Sequence, residues 1–497
     1  MFVFRFCGFV EITVLFSSFY VEIMVLFLGF YIEKTLLFIK NDVEITVLLM
    51  ESAMFRRKVY DKLLKWKQEY NGSYACLLEG ARRVGKSTIA ENFAKNEYDS
   101  YIRIDFANIT EELLDVFRDI AKPDIFFLRL QAETGITLKK RKSAIIFDEI
   151  QLNPKVRQAI KYLVQDGRYD YIETGSLISI RKNVQDIVIP SEEHRIKVYP
   201  MDFEEFSWAT AKDPDTLRQL FKAGIPAGNE LNRSLMRNFR IYMAVGGMPQ
   251  AVDAYIKSNN FDHVDSVKKE IIDLYFDDLM KLDPKGRLSA VYSSVPSQLA
   301  LKKKRFVISA ATGKQKTERD DERIFELINS RMVIPCWHVK NPGATLALTR
   351  EIDRFKLYLA DTGLFVTMMI AKDPEKSGDI YKKFLGDKLP ADLGYLYENI
   401  AAQILASRGT ELYYHTWHKE NSTHSFEIDF LLSRGSKIIP IEVKSSETKN
   451  HESIDRFAEK YRQYIDKRYL FSQKDVSNDK DLQLKPVYML PFAAEEM

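Results

Sequence analysis

"LLEGARRVGKSTIAENFAK", residues 77–95, decides how this chain is read. An apolar strand, "YACLLE" (74–79), runs into Gly80, four intervening residues, Gly85, Lys86 and Ser87, and then into the helical pattern "STIAENFAK". Glycines at these places let backbone N–H groups close around phosphate oxygens, and the start of the following helix adds its positive dipole. Lys86 offers a point charge to β- and γ-phosphates, and Ser87 and its neighbour Thr88 offer hydroxyls to Mg²⁺ and the nucleotide. A strand before the loop and a helix after it are the context this spacing requires.

A phosphate loop needs carboxylates, and "SAIIFDEIQ" (143–151) supplies them. Four apolar residues of a buried parallel strand end in Asp148 and Glu149, and carboxylates at the carboxyl end of such a strand reach the ligand crevice. Asp148 is expected to hold Mg²⁺ through water, and Glu149 to polarise the attacking water as general base.

Upstream, "MFRRKVYDKLLKWKQEY" (54–70) places Val59, Leu63, Leu64 and Trp66 at helical spacing. Before it stands a repeat of different character: "VEITVLF" at Val10, "VEIMVLF" at Val21, "IEKTLLF" at Ile32 and "VEITVLL" at Val43. An eleven-residue period fits a right-handed coiled helix, whereas the β-branched and aromatic content favours strands. Glu11, Glu22, Glu33 and Glu44 interrupt the apolar runs, so no stretch approaches the roughly 18 residues of a bilayer span. Residues 1–53 are therefore expected to be a translated upstream repeat, with synthesis beginning at Met50 or Met54. They hold three basic and six acidic residues, so without them the net charge moves from +3 to +6.

The 497 residues call for several domains. The near-neutral balance announces no nucleic-acid tail or acidic tract, so any such surface must be a local patch. Cys7, Cys76 and Cys336 are too few and too scattered for a disulfide framework or a structural zinc. A reducing cytoplasm is the expected location, with no membrane partner.

Residues 226–385 carry mostly helical patterns, among them "DHVDSVKKEIIDLYFDDLMKL". The stretch 288–339 has helices followed by a hairpin, the outline of a winged helix, with Lys302, Lys303, Lys304, Arg305, Lys314 and Lys316 concentrated beside it. Such a patch suits DNA phosphates or forms a solvated loop. Past residue 386 a helix containing Glu398 ends at Gly409. Then come strands "ELYYHTW", "FEIDFLL" and "KIIPIEVK", a helix, and further strands in "KRYLFSQ" and "KPVYMLPF". Asp429 lies on the second strand, with Glu427 on the same face. Glu442 and Lys444 lie two apart on the third, hence on one face. Two carboxylates and a lysine can bind a hard cation and activate water for phosphodiester hydrolysis. His415, His418 and His424 do not form a zinc set by spacing.

"GARRVGKST", "FDEIQ", "TGS", "VYPMDFEEF", "GGMP" and "LADTGL" together resemble the AAA-type P-loop ATPases, in particular a prokaryotic group with a C-terminal domain of unassigned function. The resemblance implies that Thr174 or Ser176, at the end of the strand after the acidic one, senses the γ-phosphate. "VGGMPQAV" resembles the Gly-x-Pro motif of signal-transduction (STAND) ATPases, which implies that Pro249 packs near adenine; a plain helix-to-helix turn is the other reading. Arg181 and Arg195 lie in the region of an arginine finger. The C-terminal order of elements resembles the PD-(D/E)xK nuclease superfamily, which implies a metal site of Asp429, Glu442 and Glu398 with Lys444 as the catalytic cation.

The expected architecture is α/β: an AAA-type parallel-sheet domain (54–225), a helical and winged-helix segment (226–385) and a restriction-endonuclease-like domain (386–497). ATP and Mg²⁺ are the expected cofactors. DNA, and either a second copy of the chain or another protein, are the expected partners. The expected function is an ATP-hydrolysing switch acting on DNA through the C-terminal domain, or a nucleotide-gated regulatory protein whose C-terminal domain only binds.

Overall fold

The computed structural model describes residues 54–176, 191–313, 315–343, 345–371, 381–382, 386, 393–419, 422, 424–445 and 451–497, together with the backbone of three N-terminal strands. Those strands are β1 (Phe2–Phe6), β2 (Val10–Ser17) and β3 (Tyr20–Phe27), which form an antiparallel sheet of their own. Two of the four repeat units thus become strands, paired from Val10↔Phe27 to Ser17↔Tyr20, as their β-branched content favours. The units at Ile32 and Val43, with Arg181 and Lys314, lie outside the described residues.

The helix Lys58–Tyr70 buries Val59, Leu63 and Trp66 on one face. It leads into β4 (Ala75–Gly80), the first strand of a five-stranded parallel sheet. The others are β5 (Ser100–Asp105), β6 (Ser143–Asp148), β7 (Asp170–Ser176) and β8 (Glu193–Lys197), in the spatial order β5-β6-β7-β4-β8. Strand alternation divides two cores. Ala75, Leu77, Ile145 and Phe147 face one. Cys76, Leu78, Ile146 and Ile172 face the other, which continues without a break through the rest of the molecule.

β7 lies between β4 and β6. The phosphate loop and the acidic strand are therefore not neighbours, and the end of β7 separates them.

A helical segment follows, including Asn229–Val245, Pro249–Ser258, Phe261–Leu282 and Arg287–Ala300. The rest is an eight-stranded mixed sheet. It contains β9 (Val333–Val339), β10 (Arg350–Leu359), β11 (Leu412–His418), β12 (Ser425–Arg434), β13 (Lys437–Val443), β14 (Arg468–Ser472), β15 (Ser477–Asp479) and β16 (Leu482–Pro486). Their order is β10-β9-β11-β12-β13-β14-β16-β15.

Two expectations are corrected. The hairpin assigned to a winged helix is β9–β10, and β9 pairs in parallel with β11 from Leu412↔Cys336 to Tyr414↔His338. It buries Cys336, Trp337 and Val339 instead of standing as a free wing, so the sheet crosses the boundary expected at residue 385. "KPVYMLPF" is a strand only to Pro486, then a tight turn and the helix Leu490–Glu496. Pro491 in the first helical turn, where its missing N–H costs nothing, explains the switch.

Candidate nucleotide site and C-terminal carboxylate cluster

The phosphate loop has the backbone its sequence demands. Gly85 has φ 92°, a left-handed conformation that favours glycine, and it caps the helix Lys86–Glu97. A side chain at Gly80 would meet the carbonyl of Val198 at 2.3 Å, because β8's continuation passes directly over it. Lys86 is only 6% exposed, and its Nζ donates to the carbonyls of Gly80 (3.1 Å) and Ala81 (2.9 Å). The ammonium thus bonds the loop's own carbonyls. Burial pushes its pKa down to about 8 against the pull of Glu149 and Asp148. Thr88, two residues on, is exposed on the first helical turn.

Ser87 Oγ donates to Asp148 Oδ1 at 2.7 Å, so the hydroxyl and the carboxylate expected to flank Mg²⁺ already meet. The Thr174 hydroxyl donates to the same carboxylate oxygen and accepts the Glu149 N–H at 3.3 Å. Of the two sensor candidates, the strand order thus places Thr174 on the acidic pair; the side chain of Ser176 lies outside the described residues. Glu149 has φ 54°, a strained left-handed turn for a non-glycine residue, and the Gln151 amide holds its carboxylate. An adjoining hydroxyl and carboxylate, with an ammonium and free helix-start N–H groups beside them, fit a magnesium nucleotide by donor type.

Three groups around this site carry no local sequence signal. Arg103 of β5 donates to Asp148 Oδ2 through Nε (3.2 Å) and Nη2 (2.6 Å), and to Glu91 at 2.8 Å. Arg57 is buried and donates to the carbonyls of Val84 (3.0 Å) and Tyr199 (2.7 Å) and to Glu205 at 3.2 Å. Tyr275 donates to the carbonyl of Arg82, whose guanidinium pairs with Asp278 at 3.2 Å. The last two acidic and phenolic groups belong to the helix Phe261–Leu282, which therefore covers the loop.

Pro249 joins them. A side chain at Gly85 would sit 3.5 Å from the Pro249 ring, so the Gly-x-Pro turn faces the phosphate loop. Behind it the Gly247 N–H donates to Asp361 at 2.6 Å, and Asp361 also accepts the Leu364 N–H at 2.9 Å. "GGMP" and "LADTGL", over a hundred residues apart, thus form one junction. Arg195 pairs with Glu79 (3.5 Å) and Glu193 (3.7 Å), so its guanidinium is engaged within its own chain.

The C-terminal candidates gather at the sheet, Glu398 from the helix Gly394–Ser407 packed against it and Lys444 just past the end of β13, with a cation among them that the sequence did not suggest. Lys356 of β10, 5% exposed, places Nζ 2.5 Å from Glu427 Oε1 and 3.6 Å from Glu398 Oε2. Tyr358, two residues on, donates to Glu398 at 3.4 Å. Asp429 accepts the Val443 N–H at 2.9 Å. Burial, and then the Glu398 charge, hold its carboxyl well above the usual range, against Lys356. Glu442 is raised by burial and lies 3.4 Å from Lys444. Among the described residues no three acidic, imidazole or thiolate groups gather as a metal-ion set. Lys356 thus supplies a positive charge among the carboxylates of the expected metal site, as Arg103 does at Asp148. His415 is buried and bonds the Val339 carbonyl at 2.7 Å.

Residues 72–207 match the family model described as an AAA domain. Residues 236–375 and 393–490 match two domains of unknown function, DUF8612 and DUF4143. No curated protein matches the chain. Similar solved structures include a Walker-type ATPase of Pyrococcus abyssi at 16% identity, covering 64% of this chain and 97% of that one with a TM-score of 0.39. The RuvB Holliday junction branch migration motor of Thermotoga maritima is 13% identical, with 56% and 89% covered and a TM-score of 0.26. A STAND protein with a tetratricopeptide repeat sensor from Pyrococcus horikoshii is 11% identical, with 69% and 47% covered and a TM-score of 0.24. No helix among the described residues is long and apolar enough to cross a membrane. Residues 72–207 match the AAA domain model, and the loop geometry and the placement of β7 between the loop strand and the acidic strand are those of a P-loop fold.

Proposed function

We propose that the chain is an ATP-hydrolysing switch whose nucleotide state sets the posture of a C-terminal binding module. The observation that carries it is the meeting of Ser87 and Thr174 on one oxygen of Asp148, beside Glu149 and Lys86. Lys86 leaves its two carbonyl partners to neutralise the β- and γ-phosphates. Magnesium, when bound with ATP through Ser87 and Asp148, offsets phosphate charge. Glu149 accepts the proton of the attacking water, held in place by Gln151 and by its backbone bond to Thr174.

The route outward is contiguous. Pro249 faces Gly85, Gly247 bonds Asp361, the Thr362 N–H donates to Gln403 at 2.8 Å, and Asn399 takes the Leu359 N–H at 2.8 Å. Glu398, the neighbour of Asn399, then meets Tyr358 and Lys356. A shift at the phosphate loop has a packed path to the C-terminal sheet.

Metal-dependent DNA cleavage by Asp429, Glu442 and Lys444 is the competing reading. The ammonium of Lys356 within the carboxylate cluster favours binding over cleavage.

The test measures ATP hydrolysis and cleavage of linear, branched and single-stranded DNA by the full chain and by Lys86→Ala, Glu149→Gln and Asp429→Ala. Hydrolysis lost in the first two variants, with no cleavage in Mg²⁺ or Mn²⁺, supports the switch. Cleavage abolished by Asp429→Ala overturns the binding-module reading, and hydrolysis surviving Lys86→Ala overturns the assignment of the ATP site.

A further inference from the structure

Beside the carboxylate cluster the β9–β10 hairpin and the segment before it enclose an open groove of about 730 Å³. Lys304 and Arg305 form one wall; Lys340, Arg350 and Arg354 line the other. Among the described residues, Glu351 and Asp353 are the lining carboxylates; Arg350 is paired with Glu411 at 2.5 Å and Arg354 lies 3.7 Å from Glu351, so the uncompensated charge is concentrated at Lys304 and Arg305. Glu351 bonds His338 at 2.6 Å and lies 3.5 Å from Lys340, and Asp353 is met by Lys316 from outside the groove at 3.4 Å. Lys304 and Arg305 have no ion-pair partner among the described residues. Burying nothing and pairing with nothing, such charges gain little for the fold, and their convergence concentrates positive potential.

The groove also has apolar edges. Leu348 is 83% exposed, Ile352 is 55% exposed, and Leu301 is exposed where the chain enters the Lys304 wall. Arginine forks match phosphate oxygens, and exposed aliphatic side chains suit unstacked base faces, a pairing of chemistries that a nucleic-acid strand presents together. An acidic peptide offers the charge without the bases. The groove is open along one side, which suits a strand passing through better than a closed small-molecule pocket.

Its position extends the argument. Arg354 donates to Thr416 at 2.6 Å, and Thr416 is the register partner of Glu427, which holds Lys356. Arg354, Lys356 and Tyr358 follow one another at alternate positions of β10, so the groove's floor runs into the strand that meets Glu398.

We propose that this groove binds the phosphate backbone of a single-stranded nucleic acid, and that it is the ligand-taking face of the C-terminal module. The proposal rests on the binding-module reading, and its failure is separable because ATP hydrolysis is read independently.

The test is fluorescence anisotropy of the full chain with labelled single strands of about 16 nucleotides, DNA and RNA, over about 50 to 200 mM salt. A duplex of equal length and vesicles of phosphatidylserine in phosphatidylcholine are the comparison arms. The variants are Lys304→Glu/Arg305→Glu/Lys340→Glu and Leu348→Ser/Ile352→Ser, each checked by thermal midpoint and ATP hydrolysis. The expected result is single-strand binding with a log–log salt slope of about −2, for about three phosphates contacted. Charge reversal is expected to weaken it at least tenfold and flatten the slope, while hydrolysis without nucleic acid is unchanged. Absence of single-strand binding at the lowest salt, binding indifferent to the charge reversal, or tighter binding to the duplex or the vesicles through these residues overturns the proposal.

Discussion

The phenol of Tyr275 donates to the backbone carbonyl of Arg82 at 3.0 Å, tying a helix of the middle segment to the interior of the phosphate loop. Tyr275 is buried and Arg82 also pairs with Asp278, so the loop is held from above before any nucleotide arrives.

Tyr275→Phe keeps the ring and removes this bond alone, at a cost of about 1 kcal/mol. ATP affinity is expected to change by about fivefold with the fold intact, since about 1.4 kcal/mol is tenfold. Titration calorimetry with a non-hydrolysable analogue checks it, and unchanged affinity would show that the helix does not steady the loop.

Lys86 gives a pH signature. Its folded pKa of about 8 lies below the ordinary lysine value, so folding is penalised while both states hold the proton. That penalty, of order 3 kcal/mol for a shift of this size, is fully present below pH 8 and is relieved as pH rises through the window from 8 to the unfolded value. The nucleotide-free protein should therefore gain stability across that window relative to Lys86→Met, and saturating ATP should remove the parent's gain across that window. Parallel thermal-midpoint profiles of the two proteins decide the matter.

Asp361→Ala strands the buried N–H groups of Gly247 and Leu364. Two such losses predict destabilisation of about 2–4 kcal/mol in urea unfolding. Gly247→Ala is expected to be as damaging, because the added carbon would lie 2.1 Å from the Met201 carbonyl. Variants as stable as the parent chain would remove this junction from the coupling route.

Lys356→Met leaves Glu427, Glu398 and Asp429 without their ammonium, and breaking a largely buried pair costs about 3 kcal/mol. Because Asp429 is already held above the usual carboxyl range, its ionisation in the folded state is what costs stability. The deficit should thus be larger at pH 8 than at pH 5, where Asp429 more readily holds its proton. Millimolar Mg²⁺ should stabilise the variant more than the parent; equal responses would show that Lys356 does not stand in for a cation.

The elements of the candidate nucleotide site were legible in the sequence because its parts are local. Loop spacing, an apolar strand ending in Asp148-Glu149 and a following strand ending in Thr174 each fit within a short window, and the structure brings them onto one carboxylate. Arg57, Arg103 and Tyr275 reach that site from 27, 45 and 193 residues away, and nothing in their own neighbourhoods marks them. Lys356 was hidden differently. In "DRFKLYLAD" it alternates as any strand residue does, and only the pairing of β9 with β11 carries it into a carboxylate cluster. The helix Leu490–Glu496 escaped because its apolar run is as good for a strand, and periodicity in so short a stretch does not separate the two.

That parallel pairing of β9 with β11 bears on how such proteins can be inherited. The two segments of unknown function, 236–375 and 393–490, meet inside a single sheet, Leu412 beside Cys336. Neither can be exchanged for an unrelated module without leaving the other a bare row of strand N–H and C=O groups. Recombination that respects folding must therefore carry both halves as one cassette, whatever domain is attached in front.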